Sequence, residues 1–470
     1  MSKTTYRGMN VTVMGLGLHG GGLESARYLA RHGAQVTVTD LRDERILAPS
    51  LEKLREEETG IRYVLGRHEP EDFERADMVI KNPGVRSDSP FLRRCRRIET
   101  DISLFLMKNP AELFAVTGSK GKSGTSSAIH RALREARERG LLPGAAYLGG
   151  NITVSPLSFL DALAAEDDVT LELSSWQLGD LRFHAGGAAL LKPRYAVLTA
   201  IMPDHQDRYE NMEAYVADKR VIYRGQDAGD VTIAGDDRWG RSFLAESKGR
   251  PVMYSEKSLP EGVTGGWLTG GGAGMARLPD SGEIVELVPA KLLVPGTHQK
   301  RNLLAAGLAL LDKGLPPDFI RESLGSFPGI EHRLEYFLEA GGVRFYNDSA
   351  ATIPEAAVAA IEAFDPPPLL VAGGADKNLD FIPLARAAGK LKLLALLAGT
   401  GTEKLRNLLD AAGIHYRGPF DSPEPAVRAA LDAAVPGDVV ILSPGCASFG
   451  MFLNEFDRGN CWKETVRRMV

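Results

Sequence analysis

Val116-Thr117-Gly118-Ser119-Lys120-Gly121-Lys122-Ser123-Gly124-Thr125 is the stretch on which the reading of this chain turns. It follows a short β-forming run and precedes a helix-forming one, so strand, loop and helix come in order. Glycine allows backbone N–H groups to curl around phosphate oxygens, and the N-terminus of the following helix adds partial positive charge. Lys122 is placed to neutralise β- and γ-phosphate charge, and the Ser123 hydroxyl to bind Mg²⁺. The spacing departs from the commonest loop of this kind. Only two residues separate Gly118 from Gly121, and Val116 stands where the first glycine usually lies. A Gly/Ser-rich surface turn is the plainer alternative, but the strand–loop–helix context favours phosphate binding.

Outward from this loop the chain alternates β-branched runs with amphipathic stretches, the mark of an α/β protein. Upstream, residues 9–14, 35–39, 61–64 and 78–80 read as strands and 22–31 as a helix. A break at Asn109-Pro110 precedes the strand at 113–116, and further strands are expected at 169–173, 195–198 and 231–234. The glycine-rich segment 265–274 reads as loops between hairpins, and 302–311 has helical spacing. After Phe327-Pro328-Gly329, strands are expected at 343–346, 369–371, 393–397 and 439–442. A chain of 470 residues exceeds one ordinary core. The expected domains are 1–110, 111–328 and 329–470.

Bulk composition excludes several classes. Apolar residues make up 44%, charged residues 25%, and net charge is −5, which is ordinary for a soluble protein and unlike a nucleic-acid binder. The basic run Arg93, Arg94, Arg96 and Arg97 reads as a solvated helix face. Cys95, Cys446 and Cys461 lack metal-ligand spacing and point to a reducing compartment. Neither an apolar leader nor a membrane-length run is evident, so a cytoplasmic enzyme is expected, without membrane or nucleic-acid partners.

Three polar clusters follow the loop. Glu172 lies among apolar neighbours, where a carboxylate is costly unless paired or metal-bound; an outward-facing glutamate on an alternating strand is the equal alternative. Asp204-His205-Gln206-Asp207 comes just after a strand, where α/β sheets place ligands. Imidazole is a minority ligand for Mg²⁺, so spacing alone does not assign His205 to it. Lys219, in the helical stretch 212–223, taken by itself reads as solvent-facing. At the N-terminus, Gly15-Leu16-Gly17-Leu18-His19-Gly20 follows a strand and is answered by Asp40 at the end of the next. Alone, that pattern would suggest an NAD-dependent dehydrogenase. The phosphate loop, the polar clusters and the lack of an evident hydride-transfer site weigh against it.

The string from Thr117 to Ser123 resembles the shortened phosphate loop of Mur ligases and folylpolyglutamate synthases. Gly149-Gly150-Asn151, Glu172-Leu173-Ser174-Ser175-Trp176-Gln177-Leu178, Asp204-His205-Gln206-Asp207-Arg208-Tyr209 and Leu442-Ser443-Pro444-Gly445-Cys446-Ala447-Ser448 resemble the D-glutamate-adding branch of the Mur ligase family, in the family's order. The resemblance implies a Rossmann-like domain for a UDP-linked substrate, a P-loop-type central ATPase domain and a Rossmann-like C-terminal domain. It implies ligation of UDP-N-acetylmuramoyl-L-alanine to D-glutamate through an acyl phosphate, with ATP and two Mg²⁺, by a monomer of peptidoglycan synthesis serving cell shape and division.

The resemblance also implies roles. Gly118, Ser119, Lys120, Gly121, Lys122, Ser123, Gly124, Asn302, Arg333 and Asp348 would hold ATP. Ser123, Glu172, His205 and a carbamylated Lys219 would hold the metals, and Lys122, Glu172, His205 and Lys219 would serve catalysis. Gly15, Gly17, Leu18, His19, Asp40, Arg42, Asn82, Gly84, Asn151 and His205 would serve the UDP substrate. Thr352, Lys377 and Ser448 would serve the amino acid. Two departures concern that last site. A common Ser-Lys-Ala-Thr-Asn is here Ser349-Ala350-Ala351-Thr352-Ile353, and Glu455 aligns with a common phenylalanine, with Phe456 beside it. Loss of a cation and gain of an acid both disfavour a dicarboxylic amino acid; D-glutamate stays the leading acceptor, with L-glutamate or another amino acid, or a sister ligase, as the alternative.

Overall fold

The computed structural model describes residues 6–18, 20–56, 60–205, 208–278 and 281–470. His19, Gln206 and Asp207 therefore lie outside the described residues. Residues 11–14, 78–80 and 169–171 are buried without alternation, as expected of parallel strands covered on both faces.

Three sheets result. The first has β1 (Asn10–Met14), β2 (Gln35–Asp40), β3 (Arg62–Leu65), β4 (Met78–Lys81) and β5 (Ile98–Glu99) in the all-parallel order β3-β2-β1-β4-β5. The second has β6 (Glu112–Thr117), β7 (Ala146–Gly150), β8 (Asp168–Glu172), β9 (Tyr195–Leu198), β10 (Val231–Gly235), β11 (Arg250–Ser255), β12 (Gly265–Leu268), β13 (Gly274–Arg277) and β14 (Ile284–Val288). Its order is β14-β13-β12-β11-β10-β9-β6-β8-β7, antiparallel only among β12, β13 and β14. The third has β15 (Glu335–Ala340), β16 (Val343–Asn347), β17 (Leu369–Gly373), β18 (Leu394–Leu397), β19 (Arg417–Phe420) and β20 (Val439–Leu442). It runs β15-β16-β20-β17-β18-β19, with β15 alone antiparallel. The helices used below are α1 (Gly21–Arg31), α2 (Lys122–Glu138), α3 (Ser175–Asp180), α4 (Met212–Lys219), α5 (Thr297–Asp312) and α6 (Glu455–Met469).

The chain divides into two compact units: Met1–Ala290 with Lys300–Leu324, and Lys291–Gln299 with Gly325–Val470. The first two sheets fall in one unit because a continuous apolar core, from Val13 and Leu29 to Leu171 and Leu198, joins them. A buried ion pair adds to the seam. Lys81 Nζ, on β4, donates to Asp180 Oδ2 at 2.5 Å on α3, and the two side chains are 0% and 4% exposed. Burial pushes the lysine down and the aspartate up, each toward its neutral form, and the partner's charge opposes this. Removing one partner strands the other charge in the core. Asp180→Ala is therefore expected to cost about 3–5 kcal/mol in urea unfolding, and Lys81→Met with Asp180→Leu clearly less. In the second unit the third sheet buries apolar clusters on both faces, around Leu370 and Ile441 on one and Val371 and Trp462 on the other.

Four expectations are corrected. Segment 265–274 is half strand: β12 takes 265–268 and β13 begins at 274, a Cβ on Gly265 would lie 1.9 Å from Met253 O, so the glycines there admit a neighbouring backbone, and Thr269 to Ala273 turn. The arginine run is not a helix face but a single 3₁₀ turn, Leu92–Arg94, leading into β5, with Arg97 paired to Glu99 at 2.8 Å. The stretch 212–223 breaks at Arg220 into Met212–Lys219 and Val221–Arg224. Lys219, on α4, faces inward rather than to solvent.

Candidate active site

At the carboxyl edge of the second sheet, Gly150 of β7, Glu172 of β8 and Val116 of β6 lie in register, with Val197 of β9 opposite Val116. The phosphate loop leaves from this level. Ser119 N donates to Ala200 O at 2.8 Å, Thr199 Oγ1 to Lys120 O at 2.7 Å, and Ser119 Oγ to Met202 O at 2.9 Å. Two glycines are sterically required. Gly118 has φ 152° and its Cβ would lie 1.9 Å from Thr199 Oγ1; Gly121 has φ 94° and its Cβ would lie 2.3 Å from Asn302 Oδ1. Asn302, on α5, is thus pressed against the loop. Lys122 begins α2 and donates to Gly118 O at 3.0 Å and Ser119 O at 3.1 Å, folding its ammonium over the loop, with Ser123 and Gly124 next in the helix. Gly121→Ala combines left-handed strain with a clash. It is expected to raise KM for ATP at least about tenfold, roughly 1.4 kcal/mol, measured by steady-state kinetics.

Beside the loop lie two buried ionisable groups. Glu172 is 1% exposed. Its Oε1 accepts from Asn151 Nδ2 at 2.8 Å, whereas Oε2 is buried and has no hydrogen-bond partner among the described residues. A buried carboxylate oxygen left without a donor suits a cation. Lys219 is also 1% exposed, donates to Gly118 O at 2.8 Å and stacks 4.5 Å from the centre of the Tyr215 ring. Burial, aided by the nearby Lys122 charge, pushes its amine down to about 7. An amine substantially neutral near pH 7 can react with CO₂, and the carbamate formed would bring oxygens to a site where an ammonium could not bind a cation. Among the described residues no cluster of three His, Cys, Asp or Glu is ready to hold a metal. The unpaired Glu172 Oε2 fits Mg²⁺, with no ready-made acid cage around it among the described residues. His205, partly exposed at φ 52°, lies 4.9 Å from the Trp176 ring and 6.2 Å from Tyr215.

The amino-terminal glycines border a different cleft, of about 610 Å³, at the carboxyl edge of the first sheet; Gly15, Gly17, Asp40, Arg42, Asn82 and Gly84 line it. Both Asp40 oxygens are held by backbone, from Gly17 N at 3.2 Å and Arg42 N at 2.9 Å, and Asn82 Oδ1 accepts from Gly84 N at 3.0 Å. The tight helix–strand glycine is Gly22 rather than Gly20, since a Cβ on Gly22 would lie 2.2 Å from Gly15 O. Leu18 is exposed. Of the ten residues expected at the UDP substrate, Asn151 and His205 sit at the second sheet's edge instead. Arg208 links the regions, stacking 4.0 Å from the Trp176 ring and donating to Val85 O at 3.1 Å.

In the second unit, the loops after β16, β17 and β20 carry the remaining candidates, apart from Arg333, which lies just before β15. Asp348 accepts from Leu334 N at 3.0 Å and Ser443 Oγ at 2.7 Å, and burial raises its carboxyl to about 6. Arg333 is exposed next to buried His332. Lys377 is exposed, 5.9 Å from the Phe449 ring centre; Thr352 is half-buried and Ser448 buried. Phe456 packs 5.4 Å from His332.

Several participants escaped the sequence reading. Thr199 directly follows the strand expected at 195–198, and Tyr215 lies one turn before Lys219, with its OH 3.0 Å from Ser119 Oγ. Position at a strand end and helical spacing from Lys219 were the available signals. His68 and Phe91 line the first cleft and carried no signal.

Comparison with known proteins gives this geometry a family. The Mur ligase MurD-like N-terminal domain matches residues 9–103, the Mur ligase middle domain 116–310, and the Mur ligase glutamate ligase domain 332–446. The UDP-N-acetylmuramoylalanine--D-glutamate ligase of Treponema pallidum (strain Nichols) is 41% identical, covering 99% of each chain. The protein of the same name from Roseiflexus sp. (strain RS-1) is 42% identical over 98% of each. Among solved structures, the UDP-N-acetylmuramate-alanine ligase MurC of Thermotoga maritima aligns with TM-score 0.55 at 19% identity, covering 98% of this chain and 100% of that one. A UDP-N-acetylmuramoyl-L-alanyl-D-glutamate--2,6-diaminopimelate ligase aligns with TM-score 0.56 at 14% identity, covering 93% and 92%. These two likenesses speak for the fold. A phosphate loop beside a buried glutamate and lysine, matched along nearly the whole chain by relatives this similar, means that the chain belongs to the Mur ligase family.

Proposed function

We propose that this Mur ligase joins D-glutamate to UDP-N-acetylmuramoyl-L-alanine at the expense of ATP, in the cytoplasm and as a monomer, supplying peptidoglycan synthesis for cell shape and division. The observation that carries the reading is the full-length likeness to relatives bearing that activity in their names. Residues 1–110 are assigned to the UDP substrate, 111–328 to ATP and 329–470 to the amino acid.

The alanine carboxylate attacks the γ-phosphate, giving an acyl phosphate and ADP. The amine of the amino acid then attacks the acyl carbon and phosphate leaves. The chief obstacle to the first step is the approach of two anions. Gly118 to Gly124 and Asn302 hold the nucleotide, and Lys122 neutralises its terminal phosphates. Arg333 and Asp348 also serve the nucleotide. One Mg²⁺ would be held by Ser123 and a second by Glu172, His205 and carbamylated Lys219, where the ions would screen phosphate charge. The carbamate forms when the neutral Lys219 amine adds to CO₂ and releases a proton. Gly15, Gly17, Leu18, His19, Asp40, Arg42, Asn82 and Gly84 bind the UDP-linked substrate, and Asn151 steadies Glu172. Thr352, Lys377 and Ser448 bind the amino acid.

One pair of residues favours a second acceptor. Ala350 lacks a cation and Glu455 adds an acid beside the amino-acid loops, so the competing reading is a sister Mur ligase that adds another amino acid. Hydroxylamine tests the activated intermediate. With ATP and UDP-N-acetylmuramoyl-L-alanine but no amino acid, the reading expects an alanine hydroxamate and equimolar phosphate. Phosphate without hydroxamate would contradict it.

A further inference from the structure

At the carboxyl edge of the third sheet, β16, β20 and β17 are neighbours, and the loops leaving them meet. Backbone bonds stitch these loops together. Gly445 N donates to Ala351 O at 2.9 Å, Gly373 N to Pro444 O at 2.8 Å, and Ala375 and Ala447 exchange two bonds of 3.0 Å. Into the same junction α6 sends Arg458, which is 1% exposed. Its Nε donates to Ser349 Oγ at 3.0 Å, Nη2 to Ser349 O at 2.8 Å and Nη1 to Cys446 O at 3.1 Å. A Cβ on Gly374 would lie 3.5 Å from Nη1, so the guanidinium also abuts the third loop. Ser349 Oγ passes the bond on to Glu455 O at 2.7 Å.

These donors reach a hydroxyl and two carbonyls, not a carboxylate. Glu455 attracts it only through space, so burying this guanidinium is still costly, and neutral side chains could tie loops together more cheaply. Burial lowers this group only to about 10, so it stays charged at neutral pH. The loops it holds carry Thr352, Lys377 and Ser448, and residue 350 among them is alanine. A dicarboxylic amino acid bound there would meet a fixed positive potential from beneath the loops, together with a geometry set by planar, multi-pronged bonding that lysine cannot reproduce.

We infer that Arg458 is a positioning residue for the acceptor amino acid, locking the loops after β16, β17 and β20 into one pocket and placing a buried positive charge behind it. The inference rests on the proposed function, and the wild-type reaction tests that separately, through amide formation with D-glutamate.

The experiment measures KM for amino acid, ATP and UDP-N-acetylmuramoyl-L-alanine in the wild type, Arg458→Lys and Ser349→Ala. Arg458→Lys keeps the charge but loses the fork, and Ser349→Ala loosens the loop while keeping the arginine. The expected result is a rise in amino-acid KM of about twentyfold for the first and about fivefold for the second, with the other KM values and kcat at saturating amino acid within about threefold. Arg458→Met adds loss of charge and should raise that KM further. If it does not fold, the other two variants still decide. An unchanged amino-acid KM, or three KM values rising together, overturns the inference even when the wild type makes amide.

Discussion

Lys122→Ala is expected to lower kcat for ATP-dependent ligation by about a thousandfold or more, while leaving the melting temperature within a few degrees of wild type. The lysine is only partly buried, and it donates to two loop carbonyls, Gly118 O and Ser119 O. Its loss leaves the terminal phosphates facing an incoming carboxylate with one positive charge fewer. The loop itself is held independently by Ala200, Met202 and Thr199. Phosphate release with and without amino acid, alongside a melting curve, checks both halves. A normal rate in a folded variant would remove Lys122 from the reaction.

Lys219→Ala is expected to be equally damaging, by about a thousandfold, for a different reason. It removes the atom that would carry the carbamate, so short carboxylates added to the variant should restore part of the rate, which they would not do for Lys122→Ala. Ligation by Lys219→Ala at the normal rate without them contradicts the carbamate assignment. The pH dependence has a defined sign. Burial brings the amine to about 7, and only its neutral form adds CO₂. Carbamate formation, followed with labelled bicarbonate, should therefore be favoured above about pH 7 and fall as pH drops below it. An ordinary exposed lysine would need far more alkaline solution.

What the sequence discloses follows from how local each constraint is. The phosphate loop is legible because Gly118 and Gly121 are demanded by positive φ and by close approach of Thr199 and Asn302, and a demand for glycine leaves a written trace. The parallel strands are legible because burial on both faces removes polar residues from them. Glu172 was undecided because the letters beside it cannot tell a buried carboxylate from an outward one; the free Oε2 exists only once Asn151 has taken Oε1. Lys219 is a surface lysine by letter and a buried amine only because α4 faces Gly118, which lies 101 positions earlier. Arg458 left no trace at all, since its partners at Ser349 and Cys446 meet it only after β16 and β20 pair. The sharing of one core by the first two sheets was equally hidden, because hydrophobic patterning marks what is buried and not against which sheet.

The most direct measurement supplies purified protein with ATP, Mg²⁺ and UDP-N-acetylmuramoyl-L-alanine, adds amino acids one at a time, and follows released phosphate together with the mass of the UDP-linked product. The account predicts phosphate and amide product in equal amounts, with D-glutamate the best acceptor. Phosphate release that needs no amino acid, or a clear preference for L-glutamate or another amino acid, would contradict it.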